Sequence, residues 1–217
     1  MDRRTSPLLS SLGRALRVAC DLMLLNILWL VCSLPIVTLG PATSALCCVS
    51  LKLAQDEPVA TLRTFFDAFT RNFLQAAALG LIGLALAVVA AADLLYAAAL
   101  TGGYRVLFLA VAVVICALTL AYWAYAFALH ARYRNTVREY IKNALSLAFI
   151  APGRTLLIWV GFAVPVALFL LLPTIALVYI GFLFILFAVS GPAFAAAFQQ
   201  LRVFDRVSGD PPASAEH

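Results

Sequence analysis

Four long apolar runs and one interrupted run set the pattern of the chain. Leu74–Leu100 is apolar almost throughout and stops at the Thr101–Gly103 turn sequence. Val106–Leu129 follows and stops at the basic "HARYR". Thr155–Leu172 and Thr174–Val189 flank Pro173, and the second continues past "SGPA" into Ala193–Val203. Runs of roughly 18 or more apolar residues are the signature of membrane-crossing helices. The interrupted run, "NILWLVCSLPIVTLGPATSALCCVSLKL", spans Asn26 to Leu53 and is broken by Pro35, Gly40 and Pro41.

The fifteen basic residues decide how that interrupted run is read. Arg3, Arg4, Arg14 and Arg17 precede it, and Lys52, Arg63 and Arg71 follow it. Arg132, Arg134, Arg138, Lys142 and Arg154 lie between the Val106–Leu129 and Thr155–Leu172 runs, and Arg202 and Arg206 follow the last. Short basic loops mark the cytoplasmic side. With two crossings between Val18 and Lys52, only Arg105 falls outside; one crossing strands three or four cations. Val18–Leu34 gives about 25 Å of helix at 1.5 Å per residue. Ala42–Gln55 is short for a hydrocarbon core of about 30 Å, so this leg is expected to be re-entrant, tilted or extended into the interface. Proline removes a helix donor and disfavours helix before it, which places the bend at Pro35–Pro41. Pro41 also suits the first turn of a new helix.

Two shorter segments change from apolar to amphipathic. Leu62, Phe65, Phe66, Phe69 and Phe73 share one helical face, and Val137, Tyr140, Ile141, Ala144 and Ala148 repeat the same offsets 75 residues later. A weaker version is Leu8, Leu12, Ala15 and Ala19. Such helices suit the membrane surface or the underside of a bundle. "GPA" also occurs twice, at Gly40–Ala42 and Gly191–Ala193. A unit of surface helix, ascending helix and descending helix, used three times, accounts for these echoes. Internal repeats of this kind are common in membrane transport proteins. The expected fold is an all-α polytopic membrane bundle of about six segments, or five plus a re-entrant or short helix. Residues 1–207 form the single domain, and 208–217 a flexible tail of disorder-like composition.

Composition supports the membrane class. Of 217 residues, 65% are hydrophobic and 12% charged, and the mean hydropathy is +1.02. Soluble domains carry about 25% charged residues. The net charge of +5 is absorbed by basic loops and brings no nucleic-acid motif with it. Cys20, Cys32, Cys47, Cys48 and Cys116 all lie in apolar segments without CxxC spacing, so no disulfide framework, metal or other cofactor is expected. The "ATSA" at Ala42–Ala45 resembles a signal-peptide cleavage site, but the long preceding region and the equally apolar later segments disfavour cleavage.

Charges inside spans are costly and often functional. Asp21 lies one helical turn after Arg17, and an ion pair between them is the simplest expectation. Asp93 lies late in its span, with Arg105 just across the turn as its expected partner. Asn26 and Thr38 or Thr43 suit interhelical hydrogen bonds. Ala76 with Gly80, and Gly83 with Ala87, give small residues four apart for close packing. Tyr133 and Tyr140 beside Arg132, Arg134 and Arg138 read as a headgroup-level belt with capacity for anionic lipid or an acidic partner. Trp29, Trp123 and Trp159 fill core or interface positions. His130 has no Ser or Cys partner at a defined spacing, and no Walker, GxGxxG or HExxH motif is present. An enzymatic role is therefore not expected.

"NILWLVCSLPIVTLGPATSAL" (Asn26–Leu46), "LKLAQDE" (Leu51–Glu57) and "FFDAFTRNFLQA" (Phe65–Ala76) resemble the YesL-like family of bacterial integral membrane proteins. Cys47 and Cys48 stand where that family usually has aromatic residues. The resemblance implies a multi-pass plasma-membrane protein of undefined activity and supplies no catalytic residues. It also implies a gene encoded beside carbohydrate ABC transporters and sugar-degrading enzymes, as is frequent in that family. The expectation is thus a non-catalytic accessory to carbohydrate uptake, with the bilayer and sugar-transporter subunits as partners and both termini cytoplasmic. A small transporter or channel acting alone is the alternative, motivated by the breaks at Pro35–Pro41 and Gly191–Pro192.

Overall fold

A computed structural model of the chain describes residues 7–171 and 186–208. Every regular element among them is helical. Helix α1 (Pro7–Cys32) is continuous, so the weak amphipathic segment at Leu8–Ala19 is its first half and not a separate surface helix. It ends where Ser33 Oγ turns back to the Leu30 carbonyl and Pro35 fixes an extended backbone. A single 3₁₀ turn at Ile36–Thr38 leads into α2 (Leu39–Ala54), with Pro41 in the first turn, where its missing N–H breaks no helical bond.

The 3₁₀ turn lengthens the second leg. Ile36–Ala54 is a 19-residue apolar segment, about 28 Å long at the α-helical rise, so of the outcomes expected for this leg it takes the lengthened one, with the added residues lying before Ala42. Trp29 near the end of α1 donates from Nε1 to Thr43 Oγ1 near the start of α2 (3.3 Å). Arg14 near the start of α1 approaches Asp56 just beyond α2 (3.9 Å). The two helices therefore form an antiparallel hairpin.

Helix α3 (Thr61–Thr70) is short and stops at Arg71–Asn72. Asn72 takes the left-handed conformation (φ 56°), which Asn tolerates better than most residues, and α4 (Phe73–Ala99) starts after it. Phe73 thus belongs to α4 and drops out of the expected amphipathic face. Phe65 is fully buried, whereas Leu62 and Phe66 are exposed. Gly102 (φ 83°) turns the chain into α5 (Gly103–Arg132). Helix α6 (Val137–Ile150) is amphipathic as expected: Tyr140, Ala144 and Ala148 are buried along one side. It meets α7 (Pro152–Leu171) at a bend of 101°. Helix α8 (Ser190–Ser208) is the last described element.

Four described helical segments are long and apolar enough to cross a membrane: Leu12–Cys32, Ile36–Ala54, Phe73–Ala99 and Tyr104–Arg132. A fifth is reached if the bent α6–α7 pair is one broken span. Most of the expected Thr174–Val189 segment, and the 208–217 tail after Ser208, lie outside the described residues.

Helix α2 is central, packing against α1, α3, α4, α5 and α8, and most of its residues are buried. The second half of α5 is the other core element. From Ala121 to His130 every residue except Trp123 is buried. Hydrogen bonds fasten this stretch to its neighbours. Tyr122 OH donates to the Leu79 carbonyl (2.6 Å), Trp123 Nε1 to the Gly83 carbonyl (3.3 Å), and Gln200 Nε2 to the Ala124 carbonyl (2.7 Å). Trp159 Nε1 reaches the Leu120 carbonyl (3.2 Å). Interhelical bonds in membrane proteins average about 0.6 kcal/mol each, so their effect here is chiefly to fix register. The other half of the α4–α5 hairpin is different. Val88, Leu95, Tyr96, Tyr104, Val106, Val113 and Val114 are all exposed, while Ala90, Ala97 and Ala112 are buried and the Tyr96 and Phe108 rings meet at 5.1 Å near the tip.

Candidate functional site

The polar groups gather at one end of the bundle, where α1 starts, α2 and α5 finish, and α3, α6 and the end of α8 pack. Arg71 Nη2 donates to the Ala131 carbonyl (3.3 Å), and Gln75 Nε2 to the Asn135 carbonyl (2.7 Å). Arg132 lies over the rings of Tyr133 (5.7 Å) and Phe204 (5.6 Å), joining the end of α5 to α8. The sequence-based belt needs correction here. Tyr140 is buried: its hydroxyl donates to the Tyr133 carbonyl (2.7 Å) and accepts from the Asn135 N–H (2.9 Å), bracing the α5–α6 loop. Arg134 and Arg138 remain exposed. Thr136 and Glu139 form a reciprocal capping box at the start of α6. The bond from the Thr136 N–H, followed by the Thr136 hydroxyl, holds the Glu139 carboxyl below its ordinary range.

Asp21 accepts from Thr61 Oγ1 (2.7 Å), the first residue of α3, and no ion pair joins it to Arg17 among the described residues. It lines an open cleft of about 480 Å³ with Arg14, Arg17, Asp56 and Glu57. A second cleft, of about 250 Å³, lies between the last turns of α2 and α3 and is lined by Cys48, Lys52, Thr64, Asp67, Ala68 and Arg71.

Deeper in the bundle, Asn26 is buried, and its Oδ1 accepts from the backbone N–H groups of Val189 (3.1 Å) and Ser190 (2.9 Å). It thereby satisfies donors at the start of α8 that have no intrahelical acceptor. Gly191 and Pro192 are the second and third residues of α8, as Gly40 and Pro41 are of α2. The two "GPA" tripeptides are therefore equivalent helix starts, on two helices that pack together. Helix α5 starts with no such sequence, so this echo covers two of the three expected units. Pro35 sits at the bend itself.

The expected Asp93–Arg105 pair is not formed among the described residues. Arg105 is exposed, and Asp93 keeps one carboxylate oxygen, Oδ2, buried without a hydrogen-bond partner. The small residues behave as expected at Gly80 and Gly83. A Cβ on Gly80 would lie 2.7 Å from the Gly40 backbone, and one on Gly83 would lie 2.8 Å from the Tyr122 ring. His130 has a partner that its sequence surroundings do not reveal: Ser44 Oγ, 86 residues away, lies 2.6 Å from its Nδ1. Both residues are buried, and His130 Nε2 has no partner among the described residues. The signal for this contact was a polar residue on an apolar helix at both positions, Ser44 within α2 and His130 in the last turn of α5. No group of three or more His, Cys, Asp or Glu placed to hold a metal occurs among the described residues.

No curated protein and no solved structure matches the chain. Residues 22–94, from the middle of α1 into the last turns of α4, contain every residue that carries the resemblance noted above. That stretch matches the model of an uncharacterised family, described as "Protein of unknown function, DUF624".

Proposed function

We propose that this chain is a non-catalytic membrane protein that assists a carbohydrate uptake system of the ABC type. In this reading it contacts transporter subunits laterally through its helices, and its basic end faces the cytoplasm. The observation that carries the reading is the division of the α4–α5 hairpin. One half is fastened into the core by Tyr122, Trp123 and Gln200, and the other presents a continuous apolar face. A rigid root with a bare apolar extension suits helix-to-helix contact within the bilayer. The YesL-like resemblance supplies the carbohydrate association. Purification in mild detergent from sugar-induced cells, followed by mass spectrometry, tests it. Transporter membrane subunits are expected to co-purify, and their absence under inducing conditions overturns the reading.

The paired helix starts at Gly40–Pro41 and Gly191–Pro192, with buried Asn26 bound at one of them, favour a second reading as a small transporter. Discontinuous helices often line transport sites. Purified protein in liposomes would then move a sugar or an ion, and Asn26→Ala would reduce that flux.

A further inference from the structure

We propose that the cleft between α2 and α3 binds a phosphate group through Lys52, Arg71 and the Thr64 hydroxyl.

The two clefts at the basic end differ in their charge balance. In the larger one, Arg14 is already paired with Asp56, and Asp21 and Glu57 add further negative charge, so an anion gains little there. In the smaller one, donors dominate. The Lys52 ammonium has no hydrogen bond or ion pair among the described residues and presents three N–H donors. Arg71 uses one Nη2 bond on the Ala131 carbonyl, which holds the guanidinium at the cleft wall and leaves further donors available. The acidic residue in the cleft, Asp67, is turned toward Arg63 (3.8 Å), one helical turn back along α3.

A second observation lies behind this wall. Cys48, on the cleft, is one helical turn from Ser44 on α2, and Ser44 holds His130 Nδ1. Arg71 bonds the carbonyl of Ala131, the residue after His130. His130, the residue before that carbonyl, keeps its Nε2 buried without a partner among the described residues. Whichever ring nitrogen carries the proton, one nitrogen lacks a partner, which is costly for a buried group unless something polar reaches it. Charge-assisted bonds from a lysine and an arginine are the chemistry that selects phosphate over neutral solutes. The group can arrive as free phosphate, as part of a soluble phosphorylated compound, or as an anionic lipid headgroup, since all three present the same anionic oxygens to the lysine and the arginine.

The test uses the full-length protein in maltoside detergent, with thermal unfolding as the readout at ionic strength held constant with chloride. Titrated inorganic phosphate is expected to raise the midpoint saturably if the source is soluble. If the source is lipid, phosphatidylglycerol in the micelles raises it, and diacylglycerol does not. Loss of one charge-assisted bond weakens binding about tenfold or more. Lys52→Gln should shift the half-saturating concentration by that factor, as should Arg71→Gln, while Lys142→Gln, on the exposed side of α6, leaves it unchanged. Because Arg71→Gln also loses the Ala131 contact, Lys52→Gln is the deciding variant. No saturable stabilisation by either ligand, or an unchanged half-saturation in Lys52→Gln, overturns the site.

Discussion

Gly40 and Gly80 meet backbone to backbone: a Cβ on Gly80 would lie 2.7 Å from both the Cα and the N of Gly40, and one on Gly40 would strike the Ala76 carbonyl oxygen. The bend that follows α1 and the start of α4 are locked at this point. Gly80→Ala and Gly40→Ala should each destabilise the protein by about 1–3 kcal/mol, the usual range for overpacking a tight contact. Gly161→Ala is the control, since nothing lies within 4 Å of a Cβ there, and it should be neutral or gain about 0.5–1 kcal/mol. Denaturant unfolding in detergent measures all three. Equal losses at Gly80 and Gly161 would remove the close approach as the cause.

Asn26 replaces two backbone acceptors at the start of α8. Asn26→Leu leaves the N–H groups of Val189 and Ser190 without that partner, at an expected cost of about 1–3 kcal/mol. Asn26→Asp keeps the accepting oxygen. Hydrogen exchange at Val189–Gly191 should accelerate in the leucine variant ahead of the rest of the bundle. Unchanged exchange there would show that the cap is not what holds the helix start.

Asp93 and Arg105 are not partners, and charge removal tells this apart from a pair. Arg105→Gln should change stability by no more than about 0.5 kcal/mol, as surface substitutions do. Asp93→Asn should be neutral or stabilising, because it removes charge from a carboxylate with an unpartnered buried oxygen. A clear loss in both single variants, with non-additivity in the double, would restore the ion pair.

Glu139 gives a pH dependence with a defined sign. Its folded carboxyl titrates below the ordinary value of 4.5, because the ionised form accepts from the Thr136 N–H and hydroxyl. The capping box therefore contributes fully above that ordinary value, and the contribution is lost as the pH falls through the depressed folded value. Local exchange at the start of α6 should rise on acidification below 4.5 in the native protein and show no such step in Glu139→Gln.

The hairpin from α1 to α2 was legible because it rests on charge counting and proline chemistry, which are local. So were the amphipathic face of α6 and the small residues of α4. The partners of single polar residues were not legible. Asp21 lies one turn from Arg17 in sequence, yet it bonds Thr61, brought in by the α2–α3 turn. His130 finds Ser44 only because α2 and α5 cross, and no spacing along the chain encodes that crossing. The 3₁₀ turn was not legible for a different reason: apolar pattern alone does not distinguish it from a bend, so the lengthening of the second leg through Ile36–Thr38 shows only in the fold. Tyr140 misled because an aromatic beside arginines reads as an interface residue until its hydroxyl is seen bracing a loop.

The divided α4–α5 hairpin behaves mechanically as a beam clamped at one end. Its root, from Leu79 and Gly83 across to Ala121–His130, is tied by bonds of defined direction. Its other end carries one aromatic ring pair and buried alanines, with no side-chain hydrogen bond between the two helices among the described residues. Tolerance to substitution should therefore grade along a single helix. Valine-to-leucine changes at 113 or 114 alter only a surface, whereas any added methylene at Ala124 or Ala126 presses on packed neighbours. The same gradient concentrates the bonds that set the register of α4 and α5 at the root of the hairpin.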